Sequence, residues 1–188
     1  MKEETVVHAM TAGNLRSAYG GESMAHMRYL VWGEKAKQDG FPNVGRLFRS
    51  IAYAEQVHAT NHLFRLAHET GDYLVASMAP FGYAATSENL VGAIGGEVFE
   101  VTEMYPSYLE EAKRQEEVAA QLSFHYALAA ERTHAQLFKL AKSAVDAGKD
   151  MELGAVRVCD ICGWTTAGKQ PDECPICKVK ADRFTVFG

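Results

Sequence analysis

The chain has 188 residues and a mass of 20.7 kDa, with 47% apolar residues, 23% charged residues and a net charge of −5. This composition predicts one folded domain with a small additional module, and it excludes a disordered or low-complexity chain. Acids and bases are interspersed, the sequence has no long apolar run, and its N-terminus has no signal pattern. These features predict a cytoplasmic protein with no nucleic-acid partner and no membrane partner.

Four segments have apolar residues at helical spacing, over about residues 11–39, 44–68, 87–111 and 116–147. Asn43 and Ser87 are expected as N-terminal caps, and Pro106 is expected to kink the third helix or to tighten its last turns. Short connections precede the second and fourth helices, whereas a long one runs from about residue 71 to 86. This order predicts an all-α fold, a ferritin-like four-helix bundle with one long crossover.

The composition changes after Gly148, where β-branched residues alternate with turn residues and cysteines. We therefore expect a tail over residues 1–10, a bundle domain over 11–147, a linker over 148–155 and a small, mostly β or irregular module over 156–188.

An internal repeat relates the two halves of the predicted bundle. AEQVHA at 54–59 matches AERTHA at 130–135, and the Gly-Gly-Glu that ends at Glu22 matches the one that ends at Glu97. The spacing also agrees, because 33 residues separate Glu22 from Glu55 and 34 separate Glu97 from Glu131. The bundle is thus predicted to be a duplicated helix pair.

The repeat contributes two Glu-x-x-His pairs and two single glutamates, which interrupt otherwise apolar helix faces. Residues three apart share a helix face, so each pair presents a carboxylate and an imidazole to one point. This is the ligand pattern of di-iron and di-manganese carboxylate proteins. Solvated surface glutamates are the alternative, but buried carboxylates require a cation. The candidate metal ligands are Glu22, Glu55, His58, Glu97, Glu131 and His134.

Two further residues lie near this face. Glu100 follows Glu97 by three positions, has Ala25 as its counterpart in the first half, and is a candidate seventh ligand. His62 follows His58 by four positions, and both packing and a role beside the ligands remain open for it.

The four cysteines form two Cys-x-x-Cys pairs separated by eleven residues, which predicts tetrahedral thiolate binding of one metal at Cys159, Cys162, Cys174 and Cys177. Geometry alone does not separate zinc from iron. A redox-active bundle site needs an electron source, and this consideration favours iron.

These motifs, together with GESMAHMRY at 21–29 and GEVFEVTEMYP at 96–106, resemble the rubrerythrin family. That family joins a ferritin-like di-iron domain to a C-terminal rubredoxin-like domain, and the resemblance covers residues 11–188. Gly33 within the first helix and the short spacing between the two cysteine pairs depart from the family pattern.

The resemblance implies two non-haem irons in the bundle and a third iron in the thiolate site. Glu55 and Glu131 would bridge the pair, Glu97 and His134 would hold one iron and Glu22 the other. The second iron would exchange Glu100 for His58 when reduced. Tyr29 and Tyr105 would hydrogen-bond to the ligand carboxylates.

The resemblance also implies a peroxide reductase that converts hydrogen peroxide to water in oxidative-stress protection. An external donor, rubredoxin or an NAD(P)H oxidoreductase, would supply the electrons. A homodimer is expected because the helices are long, and the crossover would permit exchange of helix pairs between two chains. The alternative is ferritin-like iron oxidation and detoxification with a structural zinc knuckle.

Overall fold

A computed structural model describes residues 7–188, so residues 1–6 of the expected N-terminal tail lie outside the described range. Its helices are α1 (Ala9–Gln38), α2 (Pro42–Phe64), α3 (Thr86–Phe99), α4 (Tyr105–Arg114) and α5 (Val118–Asp146). A π-helical turn over Glu100–Met104 joins α3 to α4, and together they form the third of the four predicted helical segments.

The helices form a four-helix bundle with one long crossover, as predicted. α1 packs along α2, and α3 packs along α5. The crossover over residues 65–85 is held on α1, where Trp32 Nε1 donates to the carbonyl of Gly82 at 2.9 Å and Ser17 Oγ donates to that of Ala76 at 3.0 Å. At one end of the bundle the rings of Tyr29, Phe48 and Phe138 pack together in the core.

Before Pro106 the third helical segment has a widened π turn rather than tightened turns. Pro106 has no N–H and its ring crowds the preceding turn, which a wider turn relieves. The Tyr105 N–H donates to the carbonyl of Glu100, five residues earlier. In a regular helix Tyr105 would lie about 80° away from Glu97, but the extra residue in the turn reduces the difference to about 20°. Glu97 and Tyr105 therefore both face the bundle interior.

Both predicted N-terminal caps are wrong. α2 begins at Pro42, so Asn43 lies inside its first turn, and the carboxylate of Asp150 accepts from the N–H of Asn43 at 2.8 Å and of Val44 at 3.2 Å. α3 begins at Thr86, so Ser87 lies in its first turn. A residue distant in sequence caps α2, which local propensity does not reveal.

The C-terminal module is a three-stranded antiparallel sheet in the order β2-β1-β3. Its strands are β1 (Val156–Cys159), β2 (Thr165–Ala167) and β3 (Phe184–Phe187). The segment that connects it to α5 packs on the bundle, because Met151 is buried in the bundle core and Arg46 donates to the carbonyl of Leu153 at 2.5 Å.

Among residues 7–188, no helix combines the length and the apolar character needed to cross a bilayer.

Candidate metal centres

Six of the predicted ligands meet in the centre of the bundle, where all are at most 1% exposed. Helix α1 contributes Glu22, α2 contributes Glu55 and His58, α3 contributes Glu97, and α5 contributes Glu131 and His134. Their ligand atoms form two groups, in each of which all atoms lie within 4.8 Å of one another. Glu22 and His58 belong to one group, and Glu97 and His134 belong to the other. Glu55 and Glu131 belong to both, which is the arrangement of bridging carboxylates.

Each of the four glutamates has one buried oxygen without a hydrogen-bond partner. These atoms are Glu22 Oε2, Glu55 Oε1, Glu97 Oε2 and Glu131 Oε1. Burial, together with repulsion from the neighbouring carboxylates, raises the pKa of Glu22 and of Glu55 to about 8. Four buried, converging carboxylates with an unsatisfied oxygen each are stable only with cations between them, so the residues fit two metal ions.

The two histidines point the same nitrogen at this centre. His58 Nε2 lies 3.2 Å from the carbonyl oxygen of Cys162, which can only accept, so Nε2 carries the proton. In the neutral ring the lone pair is then on Nδ1, which lies 2.7 Å from Glu131 Oε1 and 3.0 Å from Glu55 Oε2. His134 is turned in the same way, with its Nδ1 at 2.5 Å from Glu131 Oε2. Burial opposes protonation of both rings, but the facing carboxylates raise the pKa of each.

Two buried tyrosines fix the outer carboxylates. Tyr29 donates its hydroxyl to Glu97 Oε1 at 2.6 Å, and Tyr105 donates its hydroxyl to Glu22 Oε1. Burial and the surrounding carboxylates raise the pKa of both phenols well above the usual value, so both hydroxyls remain protonated donors.

His62 extends the chain that begins at Glu22. Its Nε2 lies 3.0 Å from the hydroxyl of Tyr105, and its Nδ1 lies 2.8 Å from Ser123 Oγ. Because Tyr105 gives its proton to Glu22, His62 Nε2 must donate to Tyr105, and Ser123 must donate to Nδ1. Burial lowers the pKa of His62 to about 3. The four-residue spacing from His58 placed His62 near this face, but nothing in the sequence identified its partners.

Glu100 lies outside both ligand groups. Its half-buried side chain lines a cavity of about 370 Å³ between α1, α3 and the crossover, together with Arg28 and Met78. Burial of the carboxyl and the charges of Glu22 and Glu97 raise its pKa well above the usual value. In this structure, therefore, His58 faces the metal centre and Glu100 faces the cavity.

The four cysteines form a second centre. All are free thiols whose sulfurs lie within 4.8 Å of one another, and Cys159 to Cys177 and Cys162 to Cys174 are each 3.5 Å apart. A tetrahedron of sulfurs around a metal at the usual bond length has edges of about 3.8 Å. The sulfurs therefore fit one tetrahedral ion with little movement.

The loop after Cys159 places the second centre directly on the first. Asn61 donates to the carbonyl of Ile161 at 2.8 Å, and His58 donates to that of Cys162. Gly163 has a φ of +76°, and a Cβ atom there would lie 2.1 Å from His58 Nε2. The position requires glycine both for its backbone and for the close approach of the histidine.

A bundle with this glutamate and histidine cluster, followed by a four-cysteine sheet module, defines a ferritin-like dimetal carboxylate protein with a rubredoxin-like domain. The rubrerythrin family model matches residues 13–142, and the model for the rubrerythrin rubredoxin-like domain matches residues 158–185. The chain belongs to the rubrerythrin family. This family has a di-iron carboxylate site and a four-cysteine site, and the present chain has the residues for both.

The similarity extends over whole chains. Rubrerythrin-2 of Clostridium acetobutylicum is 51% identical over 183 residues, which cover 97% of this chain and 100% of that protein. Nigerythrin of Nitratidesulfovibrio vulgaris is 30% identical over 177 residues, which cover 94% of this chain and 86% of that protein. The fully reduced, all-ferrous structure of nigerythrin superposes with a TM-score of 0.84 at 29% identity and covers 99% of this chain and 90% of that one.

Proposed function

We propose that this protein is a peroxide reductase in which one hydrogen peroxide, two electrons and two protons yield two water molecules. The proposed ligands of a di-iron centre are Glu22, Glu55, His58, Glu97, Glu131 and His134, with Glu100 replacing His58 in the oxidised state. The proposed ligands of the electron-donating iron are Cys159, Cys162, Cys174 and Cys177.

The contact between the two centres carries this proposal. Cys162 would bind the thiolate iron and His58 would bind the bundle iron, and a single hydrogen bond joins these two residues. Electrons entering the thiolate site therefore have a short route to the bundle. A protein that only stores iron needs no thiolate iron, so this route favours the peroxide reductase over iron storage.

The residues around the bundle centre match the requirements of the reaction. Two ferrous ions held by these residues would supply the two electrons that reduction of one peroxide requires. Glu55 and Glu131 belong to both ligand groups and would hold the two ions together. Tyr29 and Tyr105 hold the outer carboxylates by hydrogen bonds, and burial excludes bulk water.

The orientation of His58 and Glu100 supports the proposed exchange of ligands. With His58 directed at the centre and Glu100 in the cavity, the structure has the arrangement that the family resemblance assigns to the reduced state. Glu100 borders this cavity, so its side chain has room to move.

Rapid mixing of the anaerobically reduced, iron-loaded protein with peroxide or with dioxygen tests the proposal. We expect faster reoxidation by peroxide, with absorbance changes from both centres, and about three irons per chain. Equal or slower reaction with peroxide, or continued uptake of iron far beyond that ratio, would contradict it. Cys174→Ser is the control, because it removes the thiolate centre and should permit one reoxidation of the bundle without subsequent turnover.

We also propose that an external protein, rubredoxin or an NAD(P)H oxidoreductase, reduces the thiolate iron. Omission of the donor should stop turnover after the bound electrons are used.

A homodimer is proposed as well. Leu74, Met78 and Phe81 on the crossover expose between 88% and 97% of their surface, which favours a covered apolar face. Light scattering should give the mass of two chains, and a monomeric mass would refute this part. The long crossover would permit exchange of helix pairs between the two chains.

A further inference from the structure

Thr165, the first residue of β2, is fully buried against a proposed metal ligand. Its Oγ1 lies 2.9 Å from His134 Nε2 and 3.0 Å from the carbonyl oxygen of Gly163. We propose that Thr165 is a positioning residue that fixes the tautomer and the orientation of His134 and ties this ring to the four-cysteine module. This inference rests on the proposed role of His134 as a metal ligand.

The hydrogen bonds at Thr165 have only one consistent direction. The carbonyl of Gly163 only accepts, so the Thr165 hydroxyl donates its proton there. Its oxygen then accepts from Nε2–H of His134. In the neutral ring the lone pair is on Nδ1, which faces Glu131 Oε2 at 2.5 Å and Glu97 Oε2 at 3.7 Å. Outer hydrogen bonds of this kind set the tautomer of metal-binding histidines.

The two histidines differ in what holds them. His58 donates to a main-chain carbonyl, which no substitution removes, whereas His134 depends on one side-chain hydroxyl. Both acceptors lie within residues 162–165, a segment that begins at the second cysteine of the first pair. The same short loop therefore orients both rings, and Thr165 is the member of this loop that mutation can test.

Three substitutions separate the hydroxyl from the packing of the side chain. Thr165→Val keeps the shape and removes the hydroxyl, which leaves the buried Nε2–H of His134 without an acceptor. Thr165→Ser keeps the hydroxyl and removes the methyl group. Thr165→Ala removes both and adds no bulk, so it provides a folded comparison if the valine variant is unstable.

The first measurement is metal affinity of the full-length protein, by anaerobic competition for Fe(II) with a chelator. The expected loss of bundle affinity is about 10- to 100-fold for Val and Ala and little for Ser. If packing of the methyl group were responsible for the affinity, the Ser variant would bind Fe(II) more weakly than the Val variant. Equal affinity of Val and wild type would overturn the proposal.

The second measurement is ¹⁵N NMR of the histidines in the zinc-loaded full-length protein, with His134→Gln to assign the signal. Wild type and Ser should show His134 protonated at Nε2 with slow proton exchange, and Val and Ala should show fast exchange. Fast exchange in wild type would overturn the proposal. Neither measurement uses peroxide, so failure of the proposed peroxide reaction is recognised separately, in the rapid-mixing experiment.

Discussion

At the scale of single residues, the centre depends on a layer of polar groups behind the ligands. Tyr105, His62 and Ser123 form a hydrogen-bonded chain that ends on Glu22, while Tyr29 and Thr165 hold Glu97 and His134. Each bond in this layer joins two different elements. The carboxylates therefore keep their places through contacts that no single helix supplies.

The buried, neutral His62 gives a prediction about stability and pH. Its pKa falls from the ordinary 6.5 to about 3 in the folded chain, so below pH 6.5 the unfolded chain binds a proton that the folded chain does not. The contribution of His62 to the free energy of unfolding is therefore fully present above pH 6.5. It is lost as pH falls toward 3, by about 1.4 kcal/mol per pH unit.

Urea unfolding of wild type and His62→Gln at pH 7.5 and 5.5 checks this. Glutamine keeps an N–H for Tyr105 but does not titrate, so the variant should lose less stability than wild type between the two pH values. His125→Gln, at an exposed position, should retain the wild-type dependence. Identical losses in wild type and His62→Gln would show that His62 is not held neutral.

The sequence alone predicts that these glutamates and histidines converge, because helical spacing and the internal repeat specify which carboxylates and imidazoles share a face. Their role as metal ligands stays a prediction. The sequence does not predict the partners of His62 or Thr165. Ser123 lies on a different helix from His62, and Thr165 lies in a different module from His134, so their contacts depend on how elements pack. The position of Glu100 is unpredictable for a similar reason, since spacing places it beside Glu97 but not into a cavity.

At the scale of elements, close helix packing and one irregular turn shape the bundle. α1 and α2 cross where Gly33 faces Gly45, and a Cβ on Gly45 would lie 2.7 Å from the Gly33 carbonyl oxygen. Gly33 departs from the family pattern in the sequence, and the structure explains it by this contact. The π turn shapes the third helical segment, because it rotates Tyr105 toward Glu22.

Gly45→Ala is expected to destabilise the protein by about 1 to 3 kcal/mol, because the new methyl group overlaps a backbone atom and forces α1 away from α2. Gly13→Ala in α1 is the matched control, since a Cβ there meets nothing within 4 Å. It should instead stabilise by up to about 1 kcal/mol through helix propensity. Urea unfolding measures both, and stabilisation by both substitutions would contradict the close crossing.

At the scale of the whole molecule, the docking of the module on the bundle is the feature that local patterns did not reveal. The sequence predicted two centres but not that one loop of the module contacts both ligand histidines. This contact joins residues far apart in sequence. The connecting segment supports it, because Asp150 caps α2 and Met151 is buried in the bundle core. The module is therefore part of the wall of the bundle centre.

Gly163→Ala should separate the two centres, because its methyl group overlaps the ring of His58. Gly168→Ala is the control. Its φ of +100° imposes similar backbone strain, of about 1 to 2 kcal/mol, but its Cβ meets nothing within 4 Å. Rapid mixing measures electron transfer from the reduced thiolate iron to the oxidised bundle. Of the two variants, only Gly163→Ala should show a slower rate than wild type. Wild-type rates in that variant would show that the docked contact is not the route.

The position of the module after the bundle in the chain also has a consequence for biosynthesis. Domains emerge from the ribosome in sequence order, N-terminal first. All six of the clustered ligands, the last of which is His134, are therefore synthesised before the loop at 162–165 that covers the two imidazoles. During translation the bundle passes through a stage in which its histidine end is open, and synthesis and folding of the module close it.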